Sequence, residues 1–325
     1  MSVYASVFKD PRPPVAVIGA GAAGRALALR LVDHGYPVRA VISRTQASAD
    51  ALAALVGAPV SADRLDALPA SVRLVLLTAP DDALDGLAET LVEARHPWPE
   101  TVVAHASGAL GADVLAPLAD VGATTLAFHP LQTLPAGADG SALGGAYVGL
   151  EGSPRAVAAG IELAAGLGLR YLVTAAPDRP RYHLAASVAS NFLVTLVGMA
   201  QEVLGSIGLD RAEAVAVLEP LLRGTLDNLA DGAPEDALTG PVVRGDLETL
   251  RQHGLALRAH LPQMVPVYAA LSVETVRLAV RSGRLSPDRA EKVLGLMERM
   301  VTLPLPGSAP APTSESRPPV HPGVN

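Results

Sequence analysis

The sequence predicts an α/β protein, with an N-terminal doubly wound, mainly parallel sheet followed by an all-α C-terminal domain. Three observations carry this. Short apolar runs of strand length alternate with helical patterns over the first half of the chain, as in a series of βαβ units. A glycine-rich turn joins the first apolar run to an Ala/Leu helix pattern. From residue 181 to about residue 300 only helical patterns occur, without the alternation or short apolar runs of strands.

The first element is Val15-Ala16-Val17-Ile18, a buried-strand pattern that runs into Gly19-Ala20-Gly21-Ala22-Ala23-Gly24 and then a helix. A dinucleotide pyrophosphate requires this order. Gly19 permits the tight turn, Gly21 lets the backbone approach the phosphates, and Gly24 lets the helix pack against the strand. The helix start, with Ala22 and Ala23, offers free N–H groups and a partial positive charge to an anion. The spacing therefore predicts a Rossmann-type, nucleotide-binding domain.

Residues 36–43 form the second strand pattern and residues 46–55 the helix after it. NAD-preferring folds place an acid near here to bind the ribose hydroxyls. This chain has Ser43-Arg44-Thr45 instead, a cation between two hydroxyls that suits the 2′-phosphate of NADP. Residues 72–78 are an apolar run stopped by Ala79-Pro80, with Asp81 or Asp82 as helix caps. Strand patterns at 101–105 and 124–128 end in His105-Ala106-Ser107-Gly108 and His129-Pro130-Leu131-Gln132. Strands at 147–150 and 169–174, with a helix over 154–166 between them, complete seven or eight strands. In open α/β sheets the ligand lies beyond the carboxyl ends of the strands. That edge collects the glycine turn, Thr78, Ala79, Pro80, His105 and Ser107 for the cofactor, and His129 and Gln132 for the substrate.

The character changes near Ala176. The predicted organisation is a flexible N-terminus over 1–13, a nucleotide-binding domain over 14–175, a helical substrate and dimerisation domain over 176–302, and a disordered Pro-rich tail over 303–325. Helices are expected over 182–207, 211–229, 247–259, 263–280 and 286–300. On the first of these, His183, Ser187 and Asn191 are spaced i, i+4, i+8 and share a stripe about 80° wide. Polar groups among Leu, Ala, Val and Phe need partners, from adjacent helices or from a substrate. Residues 184–200 carry no charge. Their serines, threonine and asparagine, and the lack of a second such stretch, favour a helix covered by protein over a membrane span. The loop Leu238-Thr239-Gly240-Pro241-Val242-Val243-Arg244-Gly245-Asp246 offers Thr239 and Arg244 to an anionic substrate. Asp246 fits a helix cap.

Composition removes other classes. Net charge is −7 and charged residues make up only 18%, which argues against a nucleic-acid binder and against disorder. There is no Cys, and the histidines fall in no HxH or HExxH spacing, so no metal site is expected. Lysine occurs only at Lys9 and Lys292, which leaves no mid-chain lysine for chemistry. The N-terminus lacks the basic start and apolar core of a signal peptide, so the expected compartment is the cytoplasm.

As a set, the stretches GAGAAG, SRT, TAPDD, HASGA, FHPLQT, YHLAASVASNF and LTGPVVRGD resemble the Rossmann-like family with a domain-of-unknown-function 2520 C-terminus. That family is similar to pyrroline-5-carboxylate reductases, ketopantoate reductases and the β-hydroxyacid dehydrogenase group. The resemblance covers about residues 14–300 and implies an NADP-linked oxidoreductase with a helical, often dimer-forming second domain. It implies no single substrate. Ketopantoate reductases and β-hydroxyacid dehydrogenases carry a catalytic Lys on the first interdomain helix, where this chain has His183, followed by Ser187 and Asn191. A histidine ordinarily titrates near 6.5 and suits proton donation to a carbonyl.

The expected activity is NADPH-dependent reduction of a small, ketopantoate-like oxo acid in a cleft between the two domains of a homodimer. His183 donates the proton, Ser187 and Asn191 orient the carbonyl, and Arg244 holds a carboxylate. Imine reduction of the pyrroline-5-carboxylate type is the rival activity. A non-catalytic NADP-binding sensor or scaffold is the non-enzyme rival.

Overall fold

The structure, a computed structural model, describes residues 6–302. The predicted tail from residue 303, and residues 1–5 of the predicted flexible N-terminus, lie outside the described residues. The strands are β1 (Val15–Ile18), β2 (Val38–Ile42), β3 (Val60–Ala62), β4 (Leu74–Leu77), β5 (Val102–His105), β6 (Thr124–Leu131), β7 (Tyr147–Gly152) and β8 (Arg170–Val173). They form one sheet of order β3-β2-β1-β4-β5-β6-β7-β8. All neighbours run parallel except β6 and β7. The three-residue β3 is too short to show any periodicity in sequence.

Helices α1 (Ala22–Asp33), α2 (Gln46–Val56), α3 (Leu84–Val92), α4 (Ala116–Asp120) and α5 (Pro154–Gly166) cover the sheet. Successive strand side chains point to opposite faces. Val15 and Val17 join one apolar layer with α1, α2 and α5, while Ala16 and Ile18 join the other with α3 and α4. Burial on both faces explains why these strands read as unbroken apolar runs.

The N-terminal stretch from Ser6 is tied down, a correction to its flexible reading. Phe8 is buried in the first layer, and the Val7 N–H donates to Glu162 across 2.8 Å.

The chain divides into two compact units between Phe192 and Leu193. The predicted helix over 182–207 is two: α6 (Arg179–Ala189) and α7 (Asn191–Gly205). Ser190, between them, is a distorted right-handed turn at φ −109° and ψ −69° that belongs to neither helix. Serine and asparagine at this joint compete for backbone hydrogen bonds and support helix poorly. Helix α6 therefore belongs to the sheet-bearing unit. The run Ala176–Gly205 is long and apolar enough to cross a membrane by length and composition. None of its apolar window is buried, so the expected covering of residues 184–200 by protein is not found among the described residues. At its start, the Arg179 guanidinium is buried on a loop of the sheet.

The second unit contains most of α7, then α8 (Arg211–Ala230), α9 (Pro234–Ala237), α10 (Pro241–Arg244), α11 (Leu247–His260), α12 (Val265–Arg281) and α13 (Pro287–Thr302). Among the described residues it holds no strand. Its core includes Val243, Leu250, Val276, Val293 and Met300. Asp246 caps α11 by accepting from the Thr249 N–H.

Candidate active site at the carboxyl edge of the sheet

The sheet register aligns Ile42, Ile18, Leu77, His105 and Ala127 in one row. The residues that follow them share the carboxyl edge. Gly19 makes the turn after β1 with a φ of 114°, which L side chains rarely adopt. A Cβ at Gly24 would lie 2.0 Å from the Gly19 carbonyl oxygen, so only glycine lets α1 start this close. Thr78, at the end of β4, donates its hydroxyl to that same oxygen across 2.8 Å. Gly21, the N-cap of α1, makes no side-chain cap and faces open space. The first-turn N–H groups at Ala22, Ala23 and Gly24 thus meet the requirements of a pyrophosphate cradle. Ala79 is half-buried and Pro80 exposed beside it.

Beyond β2, Ser43 is half-buried, Arg44 exposed, and Thr45 caps α2 by accepting from the Ser48 N–H. The Thr45 hydroxyl is thus committed to its own helix. Arg44 remains the cation on that turn.

His105 does not offer its ring to a nucleotide, contrary to the sequence reading. It is fully buried. Its Nδ1 accepts from the Ser107 N–H and its Nε2 donates to the Gly111 carbonyl. Burial pushes it down to about 4, so the ring is neutral and fixes the loop after β5. Ser107 Oγ accepts from the N–H groups of Ala109 and Leu110. Glu151 on β7 accepts from the Ala112 N–H. Arg179 donates to the Ser107 carbonyl. A buried acid, a buried base and an imidazole therefore shape one loop.

His129 lies inside β6, paired with Gly149 of β7, and not beyond the strand end as its sequence pattern suggested. Its Nδ1 is 3.0 Å from the Tyr182 hydroxyl. Burial, reinforced by the Arg179 charge, pushes His129 down to about 4. The rings of His129 and His183 meet edge to face, 6.0 Å between centroids. His183 Nδ1 is buried without a hydrogen-bond partner among the described residues. Sequence reasoning missed Tyr182 and Arg179. Tyr182 points about 100° away from the His183 stripe. Arg179 lies on that stripe one turn before His183 and was passed over because a charged residue at a helix start reads as solvent-exposed.

The stripe itself is interrupted. Ser187 is half-buried on α6, but Asn191 is exposed and starts α7 beyond the break at Ser190. Gln132 is exposed just past β6, and its side-chain carbonyl accepts from the Thr133 N–H. Thr239 and Arg244 lie in the second unit, both exposed. Arg244 ends α10, 4.0 Å from Asp246.

Comparison with known proteins adds a lineage to this geometry. Residues 2–130 match the Rossmann-like domain model and residues 146–275 match a domain of unknown function (DUF2520). No curated protein matches the chain. Among solved structures, a candidate NADP oxidoreductase from Bacteroides fragilis is 26% identical with a TM-score of 0.68, covering 82% of this chain and 98% of its own. A Thermotoga maritima protein is 25% identical with a TM-score of 0.63, covering 83% and 100%. A reductive aminase from Aspergillus terreus, solved with NADPH and ethyl-5-oxohexanoate, shares the fold at 18% identity and a TM-score of 0.54, covering 89% and 94%.

Proposed function

The chain joins a Rossmann-like domain to a DUF2520 domain, and we propose that it is an NADP(H)-dependent oxidoreductase reducing the C=O or C=N group of a small oxo acid or imine. One observation carries the reading: the sheet that bears the pyrophosphate turn also bears His129, and α6 of the same unit sets Tyr182 and His183 against that histidine. Similarity to the Bacteroides fragilis candidate NADP oxidoreductase supports it.

Gly19, Gly21, Ala22, Ala23 and Gly24 hold the pyrophosphate, and Arg44 with Ser43 selects the 2′-phosphate of NADP. Thr78, Ala79, Pro80 and the Ser107 loop border the dinucleotide. When bound, the reduced nicotinamide supplies hydride to the substrate carbon. His183 supplies the proton to the oxygen or nitrogen, and Ser187 and Asn191 orient that group. His129 stands behind His183. Gln132, just past β6, binds the polar end of a carboxylate substrate. The same reading takes the protein as a cytoplasmic homodimer assembled through its helical region.

The test is an NADPH-oxidation screen over small oxo acids, ketopantoate included, and cyclic imines, followed by His183→Ala on whichever compound turns over. The proposal expects turnover that falls roughly 100-fold or more in the variant, the usual size of a lost general acid. Tight NADPH binding with no turnover of any compound would favour a cofactor-binding sensor. Undiminished turnover in His183→Ala would remove His183 as the donor.

A further inference from the structure

We propose that Tyr182, His129 and His183 form a proton relay in which the Tyr182 phenol is the proton reserve for the reduction. The relay rests on the oxidoreductase reading for its final acceptor, while its wiring stands on the geometry of the sheet-bearing unit.

Two glycines make room for it. Gly149 faces His129 across the β6–β7 pair, and a Cβ there would lie 2.5 Å from the Tyr182 hydroxyl oxygen. The hydroxyl occupies the space a side chain would take, 3.0 Å from His129 Nδ1. Gly108 does the same on the other side of the imidazole. A Cβ at Gly108 would lie 2.9 Å from His129 Nε2 and 2.4 Å from His183 Nδ1. Both ring nitrogens therefore close on one empty glycine position.

The direction of transfer follows from protonation. Burial raises the Tyr182 phenol above its ordinary value, so it keeps its proton at neutral pH. Burial holds His129 neutral. A neutral phenol beside an imidazole nitrogen donates to it, so Nδ1 of His129 accepts and its own proton sits on Nε2. No hydrogen bond joins that N–H to His183 Nδ1, which lacks a partner among the described residues, and a turn of the His183 ring across the Gly108 position makes the link.

The step balances with no further reagent. The substrate carbon gains hydride, and the His183 Nε2–H bond breaks as the new O–H or N–H bond forms. His183 Nδ1 takes the proton from His129 Nε2, and His129 Nδ1 takes the proton from Tyr182. Both imidazoles end neutral, with their tautomers exchanged, and the charge rests on the tyrosinate. Arg179, almost fully buried, has its Cζ 6.0 Å from the Tyr182 ring and opposes that charge until solvent restores the proton and the tautomers reset. Arg179 also holds the Gly108 loop through the Ser107 carbonyl and is a positioning residue.

The experiment compares the full chain with Tyr182→Phe and Gly149→Ala. The first removes the hydroxyl, and the second displaces it from its seat. In wild type, nitrogen-15 NMR of labelled histidines should show one ring, assigned by its loss in His129→Gln, as the neutral Nε2–H tautomer at pH 7. Both variants should alter that ring's Nδ1 signal. With whichever substrate the NADPH screen yields, both should lower kcat roughly 10- to 100-fold, with KM and NADPH affinity close to wild type. A wild-type His129 that is charged or in the Nδ1–H form at pH 7, or a Tyr182→Phe enzyme with unchanged kcat, would overturn the relay. If the screen yields no substrate, the oxidoreductase reading fails, and the NMR result still judges the wiring.

Discussion

The Thr78 hydroxyl donates to the Gly19 carbonyl across 2.8 Å, so the end of β4 holds the turn that follows β1. The same oxygen limits what can stand at Gly24, because a Cβ there would lie 2.0 Å from it and 2.6 Å from Thr78 Oγ1. Gly24→Ala should therefore force the turn open and cost about 1–3 kcal/mol of stability, as overpacking does. Gly21→Ala meets nothing within 4 Å and has an ordinary φ of −73°. It should leave the melting temperature near wild type while weakening NADPH binding. Thermal melts paired with NADPH fluorescence titration separate the two effects. Equal melting losses in both variants would contradict the argument.

Arg44 is exposed on the turn after β2, and no acid replaces it in Ser43-Arg44-Thr45. A charge-assisted hydrogen bond to a 2′-phosphate contributes about 1.5–3 kcal/mol. Arg44→Ala should thus weaken NADPH binding by roughly 10- to 100-fold and leave NADH binding unchanged. Calorimetric titration with both cofactors measures it, and a parallel loss for NADH would assign Arg44 a structural role.

The fold was largely legible because its strands are buried on both faces. Val15–Ile18 and Leu74–Leu77 stand out as unbroken apolar runs, and Pro154–Gly166 shows its own start signal with Ser153 as cap. The site was less legible. His105 and His129 look alike in sequence, each set near the end of an apolar run. Only tertiary contacts reveal that one fixes a loop with both nitrogens while the other faces Tyr182. The glycines at 108 and 149 gave no local signal, since what they admit is a ring from α6, more than 30 residues away in sequence. The break at Ser190 was hidden by apolar periodicity that continues through it.

Acid should destabilise the sheet-bearing unit in a defined window. Burial holds His105 and His129 near 4 in the folded chain, whereas an unfolded histidine titrates near 6.5. As pH falls below 6.5 the unfolded chain takes up protons that the folded chain refuses. The stability from neutral burial is full above about 6.5 and is lost as pH falls to about 4. Each histidine contributes up to about 1.4 kcal/mol for each pH unit crossed. Carboxylates titrate mostly below this range, so melts between pH 7 and 5 report on the histidines. The melting temperature should drop by several degrees, and His105→Asn should reduce the slope. A flat profile would mean that these rings charge in place.

The apolar faces of α7 and α8 bear on the proposed homodimer. Helix α7 has no buried residue and α8 has only Ala214. Val194 is 69% exposed and Leu221 68%, with Phe192 and Leu226 also open to solvent. Apolar area left in water costs about 25 cal/mol per Å², and large apolar side chains left open on two successive helices fit a surface that a partner covers. If a second copy covers it, light scattering should give twice 33.2 kDa at micromolar concentration. A charge placed on the buried face has to be desolvated without a partner, so Val194→Arg combined with Leu221→Arg should shift the mass to one chain. The sheet-bearing unit, whose core is separate, should keep its NADPH affinity in that variant. A wild-type protein that runs as a single chain, or a double variant that stays paired, would place the dimer contact elsewhere or remove it.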